Sequence, residues 1–127
     1  MSLMFCGCYS LVNLDLSNCY TSPLLNSMYR MFDSCTSLQF LDISKFDTSS
    51  VTTMAEMFSS CYFLKSINIS NFNTSSVTKM FDMFYNCYSL TSLDLSNFNT
   101  TLVNDMNSIF FGCDSLESLN LSNLIYH

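Results

Sequence analysis

The chain has very little of what most enzymes work with. Its single histidine, His127, is the last residue, which removes mechanisms that need a buried imidazole base and nearly every metal site that includes one. Gly7 and Gly112 are the only glycines and stand far apart, so no Gly-rich phosphate loop is possible. Four basic residues against ten acidic ones give a net charge of −6, too little positive charge to neutralise a run of phosphates. Nucleic acid is therefore a poor partner. Asn, Ser or Thr interrupts every apolar run, so none approaches the roughly 18–20 residues of a membrane span, and no membrane insertion is expected. The first residues, MSLMFCGC, have neither the basic start nor the long apolar core of a secretion signal. What remains is a 127-residue chain that is 49% hydrophobic and 15% aromatic, too apolar for disorder and the length of a single domain, 1–127.

That domain is repetitive. Leu64–Ser89 aligns without gaps on Leu90–Ser115 and on Leu38–Phe63, a period of 26 residues. Leu11–Ser37 is a fourth copy with one extra residue near Pro23. Met1–Ser10 and Leu116–His127 match the end and the start of a copy, so the chain reads as a piece of a longer array. In each copy the first half, L-x-x-L-x-L-S-x-F, alternates like a short strand with one buried face. Strands are predicted within Leu38–Ser44, Leu64–Ser70 and Leu90–Ser96. In the second half Val77, Met80, Met83, Phe84 and Cys87 fall in steps of three, three, one and three, a helical stripe. Short helices are thus predicted within Val51–Ser60, Val77–Asn86 and Val103–Gly112, with Ser50 and Ser76 as caps. The residue before the recurrent cysteine is Gly7, Ser34, Ser60, Asn86 or Gly112, a set that favours a left-handed residue ending the helix. A copy of this size buries its apolar face only by stacking on its neighbours, the logic of a solenoid.

The motif LTSLDLSNFNT followed by V-x-x-M-x-x-M-F-x-x-C resembles the repeat of the BspA-like leucine-rich-repeat proteins, specifically a subgroup once catalogued as a bacterial domain of unknown function. The resemblance covers essentially the whole chain and is closest over the three gapless copies; in the first copy Cys19 and Leu25 stand where Phe72 and Val77 stand later. It implies an α/β fold, a leucine-rich-repeat solenoid with a parallel sheet on one face and short helices on the other. It also implies a surface or secreted protein that serves adhesion or protein binding. No catalytic residue comes with the family pattern, and no cofactor or metal is expected.

The candidate interaction surface is the solvent-facing side of the strands, where repeat positions line up in columns. The middle column reads Asp15, Asp42, Asn68, Asp94, Asn120; beside it run Asn13, Phe40, Ser66, Ser92, Ser118 and, on the other side, Ser17, Ser44, Ser70, Ser96, Ser122. Such a face is a hydrated polar surface, a shallow recognition surface for a protein or glycan, or, with its row of oxygens, a calcium site. Cys8, Cys35, Cys61, Cys87 and Cys113 share one position and form a ladder of buried thiols, with a disulfide or a metal as the alternatives. Met28, Met54, Met80 and Met106, like Phe32, Phe58, Phe84 and Phe110, are core columns, and Tyr9, Tyr62 and Tyr88 belong to a rim. The N-x-S/T triplets at Asn73 and Asn99 are read as turn formers. Three functions stay open: a non-catalytic interaction or adhesion module, a spacer that projects another domain, or an enzyme on a parallel β-helix. Apolar, incomplete copies at either end also predict end-to-end self-association.

Overall fold

The computed structural model describes residues 1–122 and Leu124, so the expectation placed on His127 lies outside the described residues. The chain winds into coils whose equivalent residues lie 26 apart, 27 across the first copy, and whose side chains stack in columns. Among the described residues four short strands form on one side: β1 (Asn13–Asp15), β2 (Phe40–Asp42), β3 (Ser92–Asp94) and β4 (Ser118–Asn120). They make two parallel pairs, with Asn13 opposite Phe40 and Asp15 opposite Asp42 in one, and Ser92 opposite Ser118 and Asp94 opposite Asn120 in the other. The predicted strand within Leu64–Ser70 does not form, and it is this copy that separates the two sheets.

The expected α/β leucine-rich-repeat solenoid with helices along one face is not what forms. Among the described residues there is no α-helix: the segments expected to be helical, at 51–60, 77–86 and 103–112, are runs of turns. The reason lies in where their N–H groups go. In an α-helix each bonds the carbonyl four residues back. Here every second N–H leaves its own segment for the neighbouring coil. Met54, Glu56, Phe58 and Ser60 donate to the carbonyls of Lys79, Phe81, Met83 and Tyr85 at 2.7–3.0 Å. The N–H groups between them close tight turns three residues back, as Met57 does to Met54, Ser59 to Glu56 and Cys61 to Phe58. The same division recurs in the segments around Met28, Met80 and Phe5, and the bridges Ser27–Thr53–Lys79–Asp105 run along it.

Two residues per segment turn left-handed to permit this. One column is the predicted one, Gly7, Ser34, Ser60, Asn86 and Gly112, with φ between 56° and 73°. The other, Leu3, Arg30, Glu56, Asp82 and Ser108, with φ between 52° and 62°, carries no glycine and was not evident from the sequence. A side chain at positive φ costs about 1 kcal/mol relative to glycine, whereas inside a helix alanine is better than glycine by about the same amount. Asp82→Gly is therefore expected to exceed Asp82→Ala in denaturant midpoint by the equivalent of about 1 kcal/mol. The opposite order would return this segment to a helix.

The core is the inside of the stack. Met54, Phe58, Cys61 and Leu64 are fully buried, as are their equivalents Met80, Phe84, Cys87 and Leu90. The phenylalanine column is continuous, Phe5, Phe32, Phe58, Phe84 and Phe110, with near-parallel rings whose centroids lie 5.4–6.2 Å apart. Met106, Phe110 and Cys113, expected in the core, are only half-buried, because no described coil covers their outer side. The F-[ND]-T motif also finds its purpose. The buried hydroxyl of Thr74 donates to the carbonyl of Asn99 at 3.0 Å and accepts its N–H at 2.8 Å, standing in for a peptide group between coils. Thr48 does the same with Asn73. Asn73 and Asn99 accept the N–H two residues on, the turn bonding that their triplets predict.

Candidate functional site

The strand face gathers most of the predicted surface, in two halves. Asn13, Asp15, Phe40 and Asp42 share the first sheet, and Ser92, Asp94, Ser118 and Asn120 the second. Ser66 and Asn68 lie between them outside any strand. The sheet parts where the flanking column of small residues carries its one aromatic. Phe40 is 52% exposed there and lines a cleft of about 220 Å³ with Gln39, Asp42, Ser44, Ser66 and Asn68. A broader depression of about 400 Å³ lies over Asn68, Ser92, Asp94, Ser118 and Asn120.

The middle column has local work as well as exposure. Each of its side chains accepts the N–H two residues on: Asp15 from Ser17 at 2.9 Å, Asp42 from Ser44 at 2.9 Å, Asn68 from Ser70 at 3.1 Å, Asp94 from Ser96 at 2.8 Å and Asn120 from Ser122 at 3.2 Å. These bonds end each strand in a turn, which accounts for Asp and Asn alternating in the column, since either offers the oxygen. Hydrogen bonds from Ser17, side chain and then backbone, hold the Asp15 carboxyl below its usual range, and those from Ser96, with a smaller contribution from Asn120, do the same for Asp94. One side-chain oxygen of each rung is thereby committed. Among the described residues no group of three or more His, Cys, Asp or Glu side chains is arranged to hold a metal ion.

A third concavity, of about 510 Å³, was missed in the sequence. It follows the bridge ladder, where Tyr29 and Phe81 flank the small Ala55, with the hydroxyls of Ser27, Thr53 and Thr78 and the ammonium of Lys79 along its sides. The Tyr29 hydroxyl donates to Glu56 at 3.1 Å, and the Arg30 guanidinium bonds the same carboxylate at 2.5 and 2.7 Å while lying 5.4 Å from the Tyr29 ring. Read as helical, these residues scatter around an axis. Only the inter-coil ladder brings Ser27, Thr53 and Lys79 into one row.

The thiols of Cys35, Cys61, Cys87 and Cys113 donate to the carbonyls of Phe5, Phe32, Phe58 and Phe84, each in the preceding coil, at 3.1–3.2 Å. All seven cysteines are free. Cys35, Cys61 and Cys87 are buried as predicted, whereas Cys8 and Cys113 are half-buried. Tyr9 and Tyr88 are exposed at the rim, and Tyr62 packs on Tyr88 with ring centroids 5.1 Å apart. No described helix is long and apolar enough to cross a membrane.

The family model described as "Mycoplasma protein of unknown function, DUF285" matches residues 1–124. Comparison with curated proteins and with solved structures returned no match.

Proposed function

We propose, for a chain that belongs to the DUF285 family, the role of a non-catalytic interaction or adhesion module, one that presents its strand face to a protein or glycan ligand. The carrying observation is Phe40: a large aromatic, 52% exposed, at the mouth of the cleft where the two sheets part, surrounded by Asp42, Ser66 and Asn68. Exposed aromatics beside a pocket anchor partners more often than polar rungs do. The open half of each Asp or Asn rung adds directional contacts around that anchor. Placement on a surface or secreted protein, and kinship with BspA-like proteins, rest on the resemblance of the repeat motif.

The test compares wild type with Phe40→Ala on arrays of glycans and of purified extracellular proteins. Binding by wild type that falls at least about 30-fold in Phe40→Ala, with an unchanged melting curve, supports this reading; that loss corresponds to about 2 kcal/mol of an anchoring residue. Binding that survives Phe40→Ala but is lost in Lys79→Ala moves the site to the Tyr29–Phe81 groove. Absence of any ligand on both arrays overturns the binding role in favour of a spacer.

A further inference from the structure

The groove along the Ser27–Thr53–Lys79 ladder shares no lining residue with the two clefts of the strand face, and its two sides differ in chemistry. One side carries the half-buried rings of Tyr29 and Phe81, two coils apart, with buried Ala55 between them. The Tyr29 ring is fixed in place: its hydroxyl donates to Glu56 at 3.1 Å, and the Arg30 guanidinium lies 5.4 Å from its centre. Arg30 also pairs with the Glu56 carboxylate, so the acid beside that ring is neutralised. The volume of about 510 Å³ is that of a small-molecule site, for which roughly 300–1,000 Å³ is usual.

On the other side the polar groups divide by what they have left to give. The hydroxyls of Thr52 and Thr78 donate to the carbonyls of Asn26 and Thr52, at 3.1 Å each, and keep lone pairs open to accept. Thr53 does the reverse: its oxygen accepts the N–H of Ala55 at 3.3 Å, and its proton has no acceptor among the described residues. On the next rung the exposed Lys79 has no ion-pair partner among the described residues. Asp105, one rung further, instead accepts the N–H and the side-chain amide of Asn107 at 3.2 and 2.9 Å. Neighbouring rungs of such a ladder lie about 4.8 Å apart. An unspent hydroxyl proton and an unpaired ammonium at that separation suit the two oxygens of one carboxylate. The chain has only four basic residues in a net charge of −6, and one of them stands in this groove.

We propose that this groove binds an acidic sugar, a pyranose carrying a carboxylate as a hexuronate does, at a second site independent of the strand face. The carboxylate bridges the Lys79 ammonium and the Thr53 hydroxyl, and the sugar hydroxyls donate to the oxygens of Thr52 and Thr78. The C–H face of the pyranose lies against Tyr29 and Phe81, whose rings are electron-rich on their faces. A neutral sugar leaves Lys79 without its counter-charge. An acidic peptide brings the carboxylate but neither the C–H face nor the row of hydroxyls.

The test is titration of the isotope-labelled 127-residue chain with trigalacturonate, followed by the NMR shifts of its backbone amides. Saturable shifts at Thr53, Ala55 and Lys79, with a Kd below about 1 mM, are expected. Methyl-esterified trigalacturonate keeps the rings and loses the charge, and is expected to bind at least about 10-fold more weakly. Lys79→Gln, and Phe81→Leu, which keeps the apolar volume but removes the ring, are each expected to weaken trigalacturonate binding by a similar factor with an unchanged melting curve. Lys65→Gln removes the same charge outside the groove and is expected to bind as wild type does. No saturable shift up to about 10 mM, equal affinity for the methyl ester, or undiminished binding by Lys79→Gln or Phe81→Leu would each overturn the proposal. Tetraglutamate that binds as tightly as trigalacturonate at the same amides would overturn it in favour of an acidic-peptide site.

Discussion

Phe84→Ala is expected to destabilise the chain by about 3–5 kcal/mol, the usual range for removing a buried aromatic ring. The ring is fully buried, with Phe58 at 5.5 Å on one side and Phe110 at 6.2 Å on the other. Neither neighbour can move in to fill the space. The backbone at Phe84 is held to Ile109, and that at Phe58 to Met83, by ladder hydrogen bonds of 3.1 and 2.9 Å, so closing the cavity means breaking the pairing of two coils. For a domain whose total stability is on the order of 5–15 kcal/mol, this is about a fifth of it or more. Urea titration measures the loss. Phe110→Ala serves as the internal comparison and is expected to cost about half as much, because half-buried Phe110 has, among the described residues, a ring neighbour on one side only. Equal costs, or a Phe84→Ala loss below about 1 kcal/mol, would show that the column is not what holds the coils together.

The second large effect belongs to the thiol ladder. Burial pushes the Cys35 thiol up to about 12 and moves those of Cys61 and Cys87 well above their ordinary value of 9.0. The folded chain therefore keeps these protons at a pH where the unfolded chain has lost them. Below about pH 9 both states are protonated and the ladder contributes no pH dependence. Above it the unfolded state binds fewer protons than the folded one, so stability falls as pH rises, by about 1.4 kcal/mol per pH unit for each such thiol, until the folded thiols ionise near pH 12 or beyond. Denaturant midpoints between pH 7 and 11 are expected to be level and then to drop steeply, and Cys61→Ala is expected to make the drop shallower. The same burial predicts the order of thiol modification: exposed Cys19 first, then half-buried Cys6, Cys8 and Cys113, with Cys35, Cys61 and Cys87 reacting only on unfolding. A midpoint that stays level through pH 11, or prompt reaction of all seven thiols without denaturant, would contradict the ladder.

Much of this was legible in the repeat. The repeat register, 27 residues across the first copy and 26 thereafter, pairs Asp15 with Asp42 and Asp94 with Asn120 as the columns require. The inward residues Met54, Phe58 and Cys61 were named by their spacing, and the left-handed residue before each cysteine by its chemistry. The face bearing Asn13, Phe40, Ser92 and Ser118 was legible too, because side chains alternate along a strand whatever lies beside it. The helices were not there to be found, yet the stripe Val77, Met80, Met83, Phe84 and Cys87 looks the same either way. It places these residues inward on a helix of 3.6 residues per turn, and equally on a chain of three-residue turns that reverses at Asp82 and Asn86. The weak hint was composition: the column of Arg30, Glu56, Asp82 and Ser108 has no residue with a strong preference for positive φ, and only Asn86 and the two glycines mark the second reversal.

By itself the sequence determined the period, the columns and which side chains face inward, since these follow from apolar positions repeating at a constant interval. The path of the backbone between those side chains was decided only in the tertiary structure. An N–H such as that of Phe58 can bond within its own segment or across to Met83, and the second choice exists only once the next coil is already lying against it. The same dependence on neighbours parted the sheet at Ser66–Asn68 and aligned Ser27, Thr53 and Lys79 into the wall of a groove. Each is a property of coils in contact, which no single repeat contains.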